Sequence, residues 1–136
     1  MNDFSWLPTE FHCCSGARDD QIAESETQLG RVLPPDYVEF LRVSNGGEGF
    51  IGKNAYLILW GVEELHSLNR DYEVEDAAPG LLVFGSNGGG EAFGFDTRSS
   101  GWPVVKVPFV VMDWKDARSM GGSFGDFLRR LHETKD

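Results

Sequence analysis

Basic residues are scarce in this chain: 12 Lys and Arg stand against 22 Asp and Glu, a net charge of −10 over 136 residues. Nucleic acids and anionic membranes are held by Lys and Arg that displace counterions from phosphates, so the deficit argues against direct binding to either. No apolar run approaches the roughly 20 residues that a membrane-spanning helix needs. The start, Met1-Asn2-Asp3-Phe4, has neither the basic residues nor the apolar stretch of a secretory signal, and a cytoplasmic location is expected. Cysteine is limited to Cys13 and Cys14, and adjacent cysteines rarely bridge each other without strain. His12 lies beside them, but zinc ligands are normally spaced along the chain with a second group elsewhere, and His66 and His132 stand alone. No metal and no cofactor is expected.

What is present is enough for one domain with its own core. Hydrophobic residues make up 40% of the chain and charged residues 25%, which fits neither a disordered segment nor a coiled coil. At this length about two-thirds of the unfolded surface can be buried. Residues 1–18 read as an irregular segment whose Phe4, Trp6, Leu7 and Phe11 pack on the body. A first helix is expected from Asp19 or Asp20, where a carboxylate can cap free N–H groups, through Ile22 and Leu29 to Gly30. A second helix follows Pro34-Pro35, with Tyr37, Phe40 and Leu41 on one face, and ends at Asn45-Gly46-Gly47.

The middle of the chain reads as sheet. Strands are expected at Tyr56 to Trp60, Leu81 to Phe84, Glu91 to Phe95, Val104 to Val107 and Phe109 to Met112, with a short helix between Gly61 and Leu68. Asn87-Gly88 supplies the turn of a hairpin. A closing helix begins at Ser123, with Asp126 placed for a capping box and Phe124, Phe127, Leu128 and Leu131 as its apolar face. The sum is an α+β domain over residues 19–132 with a tail at 133–136.

Enzyme signatures do not survive inspection. Gly121-Gly122-Ser123-Phe124-Gly125 matches the nucleophile elbow G-x-S-x-G, which needs Asp and then His from separate downstream loops. Only 11 residues follow Gly125, and Asp126 and His132 share one helix with the serine. Glycines 88–90 lack the lysine and following helix of a phosphate cradle. Adjacent Glu63 and Glu64 diverge on a helix and cannot face each other as an acid/base couple. A non-enzymatic protein is the expectation.

Charge is unevenly spread. Asp71, Glu73, Glu75, Asp76, Glu91 and Asp96 fall within residues 71–96 with no basic residue among them, so 26 residues hold −6 of the net charge. Two readings stand side by side: a solvated face that prevents association, or a docking surface for a cationic partner, whose encounter a one-sign field would accelerate. Trp60 and Trp102 carry the same duality, since tryptophan serves both as binding anchor and as core filler. With Glu63 and Glu64 these residues form the candidate partner-binding set.

Several of these features occur together: Leu33-Pro34-Pro35-Asp36-Tyr37-Val38-Glu39-Phe40-Leu41, then Asn45-Gly46-Gly47, Leu57-Ile58-Leu59-Trp60-Gly61, Leu82-Val83-Phe84-Gly85, Ala92-Phe93-Gly94-Phe95-Asp96, and Ser123-Phe124 with Phe127-Leu128. In this order the chain resembles the SUKH superfamily, whose domain also occurs in fungal cell-wall synthesis regulators. The resemblance implies a single α+β domain with a twisted, mostly antiparallel sheet packed against helices. It also implies an immunity protein that binds a polymorphic toxin domain, often a nuclease, and blocks its basic cleft. The fungal members imply an alternative, a regulatory module with an endogenous partner.

Overall fold

The computed structural model describes residues 4–53 and 55–133. Its spine is one seven-stranded sheet in which every neighbouring pair is antiparallel and the spatial order follows the chain. The strands are β1 (Phe11–Cys13), β2 (Gly47–Phe50), β3 (Tyr56–Leu59), β4 (Leu81–Ser86), β5 (Glu91–Asp96), β6 (Val104–Pro108) and β7 (Arg118–Gly121). Among the described residues five α-helices accompany them: α1 (Asp19–Leu29), α2 (Pro35–Val43), α3 (Leu65–Asp71), α4 (Val74–Ala77) and α5 (Phe124–Glu133). The fold class is α+β, as expected.

Local chemistry sets most of these elements. α1 ends where Gly30 turns left-handed at φ 69°, and its N–H returns to the Glu26 carbonyl at 2.9 Å. Pro35 opens α2 at the position where a missing N–H costs nothing. Asn45 then acts through its side chain. Its Oδ1 accepts the Val62 N–H at 2.7 Å at the start of a 3-10 turn, while Gly46 takes a φ of 92° so that the chain can reverse into β2.

Several expectations are corrected. Asp19 and Asp20 do not cap α1; Arg18 occupies that position, its N–H donates to Gln21 Oε1 at 2.9 Å, and the two aspartates pair with Arg42 and Arg18. Residues 11–13, expected to be irregular, form β1, because Phe11 is buried against the core and its backbone pairs with Gly49. Phe109 to Met112 is not a strand: the ladder ends at Pro108, and the chain turns so that Met112 is buried, Phe109 is half-buried, and Val110 and Val111 are exposed. At α5 only half a capping box forms. Ser123 Oγ accepts the Asp126 N–H at 3.2 Å, whereas the Asp126 carboxylate accepts from Gly122. Of the expected tail, Glu133 closes α5 and residues 134–136 lie outside the described residues.

The two faces of the sheet are covered unequally. On one face α1, α2 and α5 bury Phe11, Leu57, Leu82, Phe93 and Val104, so the core spans β1 to β6. Its centre is aromatic: Tyr37 sits 4.9 Å from Phe124, 5.2 Å from Phe95 and 5.7 Å from Phe84 between ring centroids. Asp36 joins the two helices over it, Oδ2 accepting the Gly125 N–H at 2.9 Å. On the other face a smaller cluster covers only β4 to β6, where Val74 and Ala78 from the α4 region and Met112 pack on Leu81, Val83, Ala92 and Val107.

Candidate functional site

The chain leaves the sheet at Gly61, so the first half of β4 has no strand beside it on that edge. Asn69 on α3 fills the gap. Its Oδ1 accepts the Val83 N–H at 2.9 Å, and its Nδ2 donates to the Val83 carbonyl at 2.8 Å and to the Leu65 carbonyl at 2.8 Å. A side-chain amide thereby replaces a strand's peptide and ties α3 to the edge of β4. Beyond it, Tyr72 and Glu73 turn the chain into α4, with Glu73 in the left-handed region at φ 54°.

This turn gathers part of the expected acidic set. Asp71, Glu73, Glu75 and Asp76 all lie on α3, α4 and the two residues between them. Asp71 is 3.7 Å from Arg70, both exposed, a geometry worth little in water. Glu75 Oε1 accepts the Gly80 N–H at 3.3 Å. Among the described residues the carboxylates of Glu73 and Asp76 make no ion pair. A groove of about 590 Å³ is lined by Glu73, Glu75 and Asp76 together with Arg31, His66 and Arg70, so its charge is mixed. Arg31 is already occupied by a hydrogen bond from its guanidinium to Thr97 Oγ1.

Trp60 joins this group through Tyr72. The two rings stack at 6.0 Å with planes 9° apart, and Phe109 closes on Tyr72 at 5.0 Å from the β6 side. The rest of the expected set lies elsewhere. Glu63 and Glu64 serve the 3-10 turn, Glu63 accepting from Asn45 Nδ2 at 2.7 Å and Glu64 from the Gly61 N–H at 3.0 Å. Glu91 accepts from Asn87 Nδ2 at 3.0 Å and lies 3.6 Å from Lys106 on the next strand. Asp96 is buried, held by the Arg98 N–H at 3.0 Å and the guanidinium at 3.0 and 3.3 Å. The Arg98 hydrogen bond keeps its carboxyl below the usual carboxylate range, outweighing the opposing effect of burial. Trp102 packs on Phe95 at 5.8 Å, on the helix-covered face.

The serine of the G-x-S-x-G match caps a helix. Ser123 Oγ is occupied by the Asp126 N–H, while the His132 ring lies nine residues further along α5, 4.8 Å from Trp6. Among the described residues no cluster of three His, Cys, Asp or Glu could hold a metal ion, and no helix is long and apolar enough to cross a membrane.

A family model described as SMI1 / KNR4 family (SUKH-1) matches residues 16–130, most of the chain. The chain belongs to that family. It is also 32% identical over 130 residues to the uncharacterized protein YnaB of Bacillus subtilis (strain 168), an alignment covering 92% of this chain and 85% of that protein. The family-like motif from Leu33 to Gly47 has side chains that build the core, join α2 to α5 and cap the 3-10 turn. Asn69, Tyr72 and Phe109 escaped the sequence reading. Tyr72 had one signal, a lone aromatic between two carboxylates.

Proposed function

We propose that this domain is a non-enzymatic immunity protein of the cytoplasm. It binds a cationic toxin domain of the polymorphic bacterial class, often a nuclease, and blocks the basic cleft that would take the toxin's substrate. The observation that carries this reading is the join between charge and aromatic surface: Asp71 and Glu73 flank Tyr72, which stacks on Trp60. Aromatic anchors supply desolvated contact area, and the carboxylates around them select a cationic partner and speed its approach. Such a protein needs a preformed surface and no reacting group. With a net charge of −10, the whole molecule attracts a basic partner before contact.

The test is titration of the purified protein onto the active toxin domains encoded beside this gene, with binding and residual toxin activity read at low and high salt. Binding that blocks toxin activity and weakens as salt rises is the expected result. If none of the neighbouring products binds, or binding ignores salt, the proposal fails.

A further inference from the structure

Half of the sheet's second face is left open. The smaller core stops at β4, so among the described residues no helix lies over the half-buried and exposed side chains of β2 and β3 that point to that side. On β3 these are Tyr56 and Ile58, alternating with the buried Leu57 and Leu59. Phe50 on β2 stands directly opposite Tyr56, ring centroids 5.0 Å apart, and remains 46% exposed. Trp60, half-buried against both cores, continues the row past the end of β3 and passes it to Tyr72 and to Phe109, itself half-buried on the smaller core. Val110 and Val111, 88% and 76% exposed, follow Phe109 in the turn that replaces the expected strand.

From these positions we infer that one apolar strip, running along β3 from Phe50 to Val111, is the surface on which the partner seats, and that its occupant is a basic protein surface with an apolar anchor framed by Arg or Lys. Contiguous exposed apolar surface with a polar rim marks interaction sites, whereas single exposed apolar residues do not. Charge decides the occupant. Glu48 lies beside the strip at one end, accepting from the Tyr56 hydroxyl at 2.5 Å, and Asp71 and Glu73 bracket Tyr72 at the other. Aromatic residues at the centre with carboxylates around them match a partner of opposite charge. This deepens the immunity reading and rests on it for the partner's class.

Two arms test the strip separately from that reading. In the first, a synthetic peptide of alternating arginine and leucine is titrated onto the isotope-labelled protein and backbone shifts are followed by NMR. Changes confined to β2, β3, Trp60, Tyr72 and residues 109–111, lost in Tyr72→Lys and kept in Val32→Lys, are expected; Val32 is exposed but off the strip. Changes on α1, α2 or α5, at the outer edges of β1 or β7, or none at all, overturn the strip. In the second arm, inactivated toxin domains encoded beside the gene are titrated onto the same variants. Tyr72→Lys should weaken binding about 30-fold or more and Val111→Lys about 10-fold, with Val32→Lys within about 2-fold. A toxin that binds Tyr72→Lys as tightly as the parent overturns the strip and leaves the immunity reading standing. If the peptide maps to the strip while no toxin binds, the strip stands and the immunity reading falls.

Discussion

The two faces of this sheet are made by the same strands and do different work. Under α1, α2 and α5 the side chains are aromatic, fully enclosed and in mutual ring contact, as in Phe84–Phe95 at 4.6 Å and Phe93–Phe127 at 4.8 Å. Across the sheet, aromatic residues recur on β2, β3 and the turns beyond, but there Phe50 and Tyr72 remain exposed. Aromatic content alone therefore says nothing about role. Coverage does: the helices that could have closed the second face end with α4 over β4 to β6.

Substitutions can break that contrast in order of size. Phe84→Ala, within the covered cluster, should cost about 3–5 kcal/mol in denaturant melts, since it removes a fully buried ring and leaves a cavity. Tyr72→Ala on the open face should cost less than about 1 kcal/mol by the same measurement. Similar losses at the two sites would mean that the open face is part of the core.

Asn69→Ala comes next. It strands the Val83 N–H and carbonyl beside an unpaired stretch of β4, a loss of about 1–3 kcal/mol. Hydrogen exchange at the Val83 amide should rise in step.

Glu73→Gly should act in the opposite direction. A non-glycine residue in the left-handed region carries about 1–2 kcal/mol of strain, and the extra chain entropy of glycine offsets part of the relief. A net gain of roughly 0.5–1 kcal/mol is expected in thermal melts, with weaker binding of a cationic partner. If binding is unchanged, Glu73 is not part of the interface.

Tyr37 provides a subtler check inside the core. Its hydroxyl is fully buried with no hydrogen-bond partner among the described residues, and burial pushes its pKa upward. Tyr37→Phe should therefore be neutral or stabilising by up to about 1 kcal/mol, whereas a clear loss would reveal an unrecognised partner.

The smallest effect concerns acid. Asp126 is held below the usual carboxylate range by the Gly122 N–H, with Arg130 and Arg129 adding to it. Because its folded pKa is the lower one, the stability it contributes is complete above the ordinary value of about 4 and is lost as pH falls through the folded value. Asp126→Asn should flatten the acid limb of a stability profile below about pH 4 and reduce stability at neutral pH.

How much was legible follows from where the information lies. α1, α2, α5 and the β4–β5 hairpin are written in local signals: proline at a helix start, Asn-Gly at a turn, apolar residues three and four apart. β2 and β7 were not, because Gly-Glu-Gly-Phe and Arg-Ser-Met-Gly have little strand preference and become strands through their neighbours. Phe109 to Met112 failed for the converse reason, a β-branched run overridden by Pro108 and the turn beyond it. The candidate site was half legible. Counting carboxylates found Asp71, Glu73, Glu75 and Asp76, but no count shows that Arg98 encloses Asp96 or that Lys106 faces Glu91 across a ladder. Trp60 and Trp102 look alike in sequence, yet Trp60 packs against both cores and stacks on Tyr72, whereas Trp102 packs on Phe95 in the helix-covered core.

The most direct measurement is hydrogen–deuterium exchange on the protein alone and saturated with a toxin domain that it inhibits. Protection over β2, β3, residues 70–77 and residues 109–111, with α1, α2 and α5 unchanged, is the expected result. A footprint on those three helices, with the open half of the sheet exchanging as before, would contradict it.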